Sequence, residues 1–180
     1  MKLICLPCQS PHFYLKPDTA LLRNGRVFYL PDFCQRISGS LALVIKINRL
    51  GRHIAPRFAH RYYHETALGF CLYAADILEQ NQRDGTSWAP ACALDCSAPL
   101  SDIFAPVNES NPEQEVFAWE QWKGSLNTSI DQSIAHVSRY IFLRMGDLIW
   151  IELHPPLPLC PPSQIHASRN GALQLHFSLK

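Results

Sequence analysis

Leu41-Ala42-Leu43-Val44-Ile45-Lys46-Ile47 is an almost unbroken apolar run, and it reads as a strand covered on both faces at the centre of a sheet. Leu173-Gln174-Leu175-His176-Phe177-Ser178-Leu179 differs, because apolar and polar residues alternate with period two, as on a half-buried sheet. Val27-Phe28-Tyr29-Leu30 and Leu148-Ile149-Trp150-Ile151 add two more strands. Helical signals are fewer. One helix is expected from Pro56, at a first helical position, through Phe58, Ala59, Tyr62 and Tyr63. A second covers Ala74 to Asp84 and stops at Gly85. A third places Ile130, Ile134, Val137 and Ile141 on one face, with Thr128 or Ser129 as its cap. The expected fold class is therefore α+β and strand-rich.

Composition sets the outer bounds. The 180 residues, 47% hydrophobic and 17% charged, suit one core, so 1–180 is read as a single domain. The net charge of +1 gives no field of one sign to draw nucleic acid or an anionic membrane surface, and neither is expected as a partner. No apolar run is long enough to cross a bilayer, and Met1 to Pro7 reads as a short strand rather than a signal peptide's apolar core. A cytoplasmic location is the expectation. The 14 prolines limit long helices. Residues 106–115 read as a polar surface loop, and the proline-rich 154–162 as an extended connection without regular ladders, preferred to a polyproline ligand.

Several stretches together resemble the fumarylacetoacetate hydrolase family, especially its small bacterial members acting on acylpyruvates. They are Phe13-Tyr14-Leu15-Lys16-Pro17, Leu30-Pro31-Asp32-Phe33, Ile45 to Gly51, Phe58 to Tyr63, Gly85 with Trp88, Asp95 to Leu100, Ile134 to Ser138, and Met145-Gly146-Asp147-Leu148-Ile149. The resemblance implies a roll of mixed β-sheets, usually a homodimer. It also implies a Glu-x-Glu pair and a later Asp that hold Mg or Mn through hard oxygen ligands. The metal polarises the keto acid, a lysine stabilises developing negative charge, and a His-Glu pair on an N-terminal lid moves protons.

On this chain those positions are altered. Alignment puts the Glu-x-Glu pair on Ser40 and Ala42, the Asp on Cys71 and the lysine on Cys92, while Asp95 beside it is retained. The segment Ala74-Ala75-Asp76-Ile77-Leu78 lacks the family's arginine and substrate-facing glutamine. Only Pro7 to His12 fills the space of the lid, leaving His12 alone to reach a pocket, and Ile151-Glu152-Leu153-His154-Pro155 stands in place of the substrate loop. These changes together imply a catalytically inactive member, with no metal expected, serving as a binding partner of its own kind or of a paralogue, with a small carboxylate as a further ligand class. The alternative is a hydrolase, decarboxylase or isomerase of diketo acids with a reorganised site, in which Cys71, Cys92 and Asp95 would do the binding.

Lys16 and Asp95 are the retained polar positions of interest. Their ordinary readings are a solvated surface cation and a turn aspartate. Among the seven cysteines, Cys5 and Cys8 with Cys92 and Cys96 offer zinc-like half-sites, and Cys5-Leu6-Pro7-Cys8 is also a redox-type C-x-x-C. Buried thiols filling space are preferred to both. His60 and His64 lie one helical turn apart without an H-E-x-x-H pattern, and Ser38-Gly39-Ser40 lacks the nucleophile elbow.

Overall fold

The structure is a computed structural model and describes residues 1–109 and 111–180. The strands in chain order are β1 (Leu3–Leu6), β2 (Tyr14–Lys16), β3 (Leu21–Arg23), β4 (Val27–Phe28), β5 (Ile37–Ile47), β6 (Tyr63–Ala74), β7 (Ala98–Pro106), β8 (Phe117–Trp119), β9 (Trp122–Gly124), β10 (Leu148–Glu152), β11 (Leu157–Leu159), β12 (Ser163–Arg169) and β13 (Ala172–Leu179). The helices are α1 (Pro56–Ala59), α2 (Ala75–Asp84), α3 (Ala89–Cys92) and α4 (Ile130–Ser138). This is the α+β, strand-rich architecture expected from the sequence.

The apolar run 41–47 lies within β5, at the middle of an eight-stranded sheet ordered β2-β1-β10-β5-β6-β7-β3, with β11 also pairing the start of β5. Its apolarity on both faces has a direct cause. One face packs on a second sheet, ordered β4-β13-β12-β8-β9, and the other turns into the concave side of the first. Between the sheets Phe70 meets Trp119 edge-on with centroids 5.2 Å apart, and Phe177 at 5.4 Å. On the concave side a Cβ at Gly69 would lie 2.1 Å from a Trp150 ring carbon, so only glycine lets the indole lie across β6. In β13, Leu175, Phe177 and Leu179 are buried as the alternation requires.

Three local expectations change. The helix from Pro56 is a single turn, because Tyr63–Ala74 pairs antiparallel with β5, with one register shift between Ile45 and Ile47, so Tyr63 belongs to a twelve-residue strand. Leu157–Leu159 does pair, antiparallel to Ile37–Gly39, so the proline-rich segment forms a short edge ladder. The 106–115 segment is not surface throughout, because Glu115 is buried against Arg169. Helix α2 ends as read, at Gly85 in the left-handed region. Helix α4 buries Ile130, Ile134 and Val137 but stops at Ser138, before Ile141. Neither Thr128 nor Ser129 caps it through a side chain; the Ile130 N–H instead donates to Glu113 Oε1 at 3.1 Å. Among the described residues no helix is long and apolar enough to cross a membrane.

Candidate functional site

Cross-strand partners point to the same face of a sheet, so the pairing register says which side chains share the concave side. Ser40 pairs Cys71, Ala42 pairs both Gly69 and Glu152, and Cys5 pairs both Trp150 and Tyr14. Curling of the sheet then brings β2 across to β6. Tyr14 Oη is 2.7 Å from Tyr73 Oη and 3.2 Å from Glu152 Oε1, and the Tyr73 hydroxyl also donates to Glu152 Oε1. Glu152 is 1% exposed, and its second oxygen, Oε2, is buried without a partner.

Lys16, one of the retained positions of interest, lies beside this cluster and is buried, not a solvated surface cation as its ordinary reading has it. Its Nζ donates to Leu72 O at 3.0 Å, Cys92 O at 2.5 Å and Ser97 Oγ at 2.8 Å. Those three bonds use every ammonium proton. The rings of Tyr73 and Tyr14 stand 5.5 and 5.9 Å from Nζ and add cation–π attraction. Lys16 thus ties β2 to β6 and to the end of α3.

Burial raises the pKa of Glu152, Cys71, Cys92, Tyr14 and Tyr73. Desolvation lifts the Glu152 carboxyl to about 7, against bonds from Tyr73 and Tyr14 and the attraction of Lys16. Desolvation, then the neighbouring Cys5 thiol, pushes the Cys71 thiol well up, and burial pushes Cys92 up to about 12. Tyr14 and Tyr73 rise well above the usual phenol range for the same reason. Outside the cluster, His154 is buried with Nε2 accepting from Leu41 N–H at 3.1 Å and Trp119 Nε1–H at 2.9 Å, and burial lowers its pKa.

A stability profile follows from the signs. Glu152 carries a folded pKa of about 7 against an ordinary 4.5, so its contribution is complete below about pH 4.5 and is lost as pH rises through 7. The full swing is about 3 kcal/mol. His154, lowered in the fold, acts oppositely and costs stability as pH falls below the ordinary histidine range. Thermal denaturation from pH 5 to 8 should therefore show wild-type protein losing stability toward pH 8, and Glu152→Gln flattening that limb. A variant as steep as wild type would show that Glu152 does not titrate there.

The structure distributes the candidate positions unevenly. Ser40, Ala42 and Cys71 are neighbours on the concave side, and Cys92 joins them through its carbonyl on Lys16. Asp95 does not: it is exposed, and Oδ1 accepts the Thr19 hydroxyl at 2.6 Å. His12 is exposed outside the cluster, and His60 and His64 are separated by the end of α1 and the start of β6. The zinc alternative is not built: Cys96 sits on the turn beside Thr19 O and Cys8 near Asn127, and among the described residues no three His, Cys, Asp or Glu side chains converge as a metal-holding group. Glu152, Tyr14 and Tyr73 were not singled out from sequence. A carboxylate ending the apolar run Leu148 to Ile151 was the available signal for Glu152.

The residues at the resemblance's ligand positions do not fit a hard divalent cation. Ser40 Oγ donates to His154 O at 2.6 Å, Ala42 has no donor atom, and Cys71 holds its proton. Among the described residues Glu152 is the one carboxylate close by, already engaged by two hydroxyls.

The fold itself is that of fumarylacetoacetate hydrolase family structures, as the sequence resemblance implied. Fumarylpyruvate hydrolase from Pseudomonas aeruginosa, in complex with Mn2+ and pyruvate, superposes with a TM-score of 0.91 at 17% identity, covering 99% of this chain and 89% of that one. A family protein from Yersinia pestis gives 0.89 at 21% identity, covering 99% and 92%. The 5-carboxymethyl-2-hydroxymuconate delta-isomerase from Mycobacterium smegmatis gives 0.85 at 19%, covering 99% and 78%. An uncharacterized protein of Pyrococcus horikoshii is 21% identical over 96% of this chain and 79% of its own length. No family model matches the sequence.

Proposed function

We propose that this chain is a metal-free protein of the fumarylacetoacetate hydrolase fold that works by binding, as partner of a second copy or of a metal-competent paralogue, and not by metal-dependent C–C bond chemistry. The observation that carries this reading is the donor set on the concave face. A hydroxyl that is donating, a methyl and a protonated thiol stand where the chemistry of a divalent cation calls for anionic oxygens. Association is supported by Leu50, Phe142 and Met145, which stand exposed around the pairing of Gly51 with Leu143.

The second reading, a divalent-metal hydrolase or isomerase of acylpyruvates, draws on the solved structures of that fold, one of which is named as holding Mn2+ and pyruvate. It asks Cys71, Cys92 and Asp95 to act together, yet Asp95 is exposed on a separate turn while both thiols are buried. Calorimetric titration of the purified chain with Mn2+ and Mg2+, followed by an acylpyruvate hydrolysis assay with either ion, separates the two. We expect no stoichiometric ion binding and no turnover above buffer. One equivalent of Mn2+ bound with measurable turnover rejects the metal-free reading, and a monomer in sedimentation at high concentration rejects pairing with itself.

A further inference from the structure

The overall charge of +1 hides a segregation. Residues 47–64, from the end of β5 through α1 to the start of β6, hold four arginines and three histidines and no Asp or Glu; residues 132–146 hold His136, Arg139 and Arg144, again without an acid. The two segments lie against each other: His53 N–H donates to Ser138 O at 2.9 Å, Ile54 N–H donates to Ser138 Oγ at 2.9 Å, and Gly51 pairs with Leu143. Arg49, Arg52, Arg57, Arg61, Arg139 and Arg144 are all exposed, and among the described residues none of the six is ion-paired. The remaining ten of the 16 Lys+Arg thus stand against all 15 Asp+Glu. Three carboxylates adjoin these segments in sequence, and each is already engaged: Glu65 by Lys46 at 2.6 Å, Asp147 by Lys2 at 2.5 Å and Asp131 by the Tyr63 hydroxyl at 3.3 Å.

Such a belt calls for an anionic partner, and its chemistry narrows which one. Between α1 and α4 a shallow cavity of about 390 Å³ has His53, Gln132, His136 and Arg139 as its polar lining and no carboxylate, so a phosphate group can enter it without repulsion. Aromatic rings stand among the arginines. The guanidinium carbons of Arg57 and Arg61 lie 4.8 and 4.9 Å from the Phe58 ring centroid, and that of Arg139 lies 6.0 Å from the Tyr140 centroid. Tyr140 is 61% exposed and packs only its inner side on Phe13 and His136. A guanidinium backed by a ring loses little freedom on binding, forks onto a phosphate, and offers its plane to a base, as does an exposed tyrosine. All six cations are arginine. An anionic membrane surface draws lysine and arginine alike, whereas paired phosphates and stacked bases favour arginine.

We propose that this belt binds single-stranded nucleic acid, with the arginines pairing phosphates, the cavity between α1 and α4 seating one of them, and Tyr140 and the ring-backed guanidiniums stacking bases. Recognition of this kind is tolerant of sequence, because every base has a face to stack and every nucleotide a phosphate. The inference goes beyond the metal-free reading and is independent of it, since nothing on the concave face takes part. It uses the arginines that adjoin Leu50, Phe142 and Met145, and not those apolar side chains.

The test is fluorescence anisotropy of a fluorescein-labelled oligouridylate of about 12 nucleotides titrated with the full chain. At about 50 mM salt we expect saturable binding with a Kd of about 1–100 μM, and a slope of about −3 to −4 for log affinity against log salt, the value for about four to six phosphates on a single strand. Arg57→Gln combined with Arg61→Gln should weaken binding about tenfold and make that slope about 1.4 shallower. Arg23→Gln combined with Arg26→Gln removes the same charge from the turn between β3 and β4 and should change neither; all four arginines are exposed, so both variants keep the fold. An abasic oligomer of equal length should bind at least about fivefold more weakly. The assignment is overturned by the absence of saturable binding up to about 100 μM chain, by equal losses in the two double variants, or by an abasic oligomer that binds as tightly. Vesicles of phosphatidylserine and phosphatidylcholine that take up the chain in flotation, while the oligouridylate stays unbound, would give the belt to a membrane surface instead.

Discussion

Replacing Lys16 by methionine is expected to lower unfolding stability by about 3–5 kcal/mol, the cost of stripping one partner from a buried, hydrogen-bonded charge. Methionine matches the length of the stem, so little of the loss comes from an empty cavity. What is lost is the donor to Leu72 O, Cys92 O and Ser97 Oγ, three acceptors in a site closed to water, together with the cation that faces Glu152. Against a total of about 5–15 kcal/mol, that is enough to leave the fold marginal. Lys46 supplies the control. Its pair with Glu65, at 2.6 Å, is between partly exposed side chains, and Lys46→Met should cost under about 1 kcal/mol. Chemical denaturation of both variants checks the contrast, and equal small losses would show that Lys16 behaves as a surface cation after all.

The Lys16 result bears on how far the sequence could be read. A lysine between Leu15 and Pro17 carries no local sign of burial, because the groups that hold it lie at least 56 positions away, on β6 and around α3. The strands fared better where their pattern is local. The run 41–47 and the alternation at 175–179 each reflect covered faces, so period and composition were enough, although Leu173 at the start of the alternation is 55% exposed where the register shifts. Tyr63 was drawn into a helix because Pro56, Phe58, Ala59 and Tyr62 show helical spacing, whereas what fixes it as strand is pairing with Ile47. Proline at 158 argued against a ladder, but β11 is a short edge opposite Ser38, where one missing donor is tolerated.

The concave cluster was legible in part. Substitution of Ser40, Ala42 and Cys71 for carboxylates follows from alignment alone, and the register of β5 with β6 sets the first and last side by side. What replaced them was not legible. Glu152, Tyr14 and Tyr73 come from three strands, and only sheet curvature makes two phenols and a carboxylate one hydrogen-bonded group. Asp95 keeps the ordinary reading of a turn aspartate, its Oδ1 accepting the Thr19 hydroxyl on a solvent-facing turn.

The second large effect is expected at Arg169, whose guanidinium pairs with a carboxylate on its own sheet's side and reaches across to the other sheet. Nε donates to Glu115 Oε2 at 2.5 Å, and Nη1 donates to Thr66 Oγ1 at 3.1 Å and Thr66 O at 3.3 Å, so β12 is tied both to the approach to β8 and to β6. Both partners are buried, with side chains 3% and 6% exposed. Arg169→Met should cost about 3–5 kcal/mol, because the Glu115 carboxylate is left in the interior without its cation. The pair itself is worth much less than that, since removing both charges also removes both desolvation penalties. Arg169→Met combined with Glu115→Leu should therefore recover most of the loss, giving a coupling energy of about 2 kcal/mol or more in a double-mutant cycle. Additive losses in the cycle would mean that the bonds to Thr66, and not the ion pair, account for what Arg169 contributes.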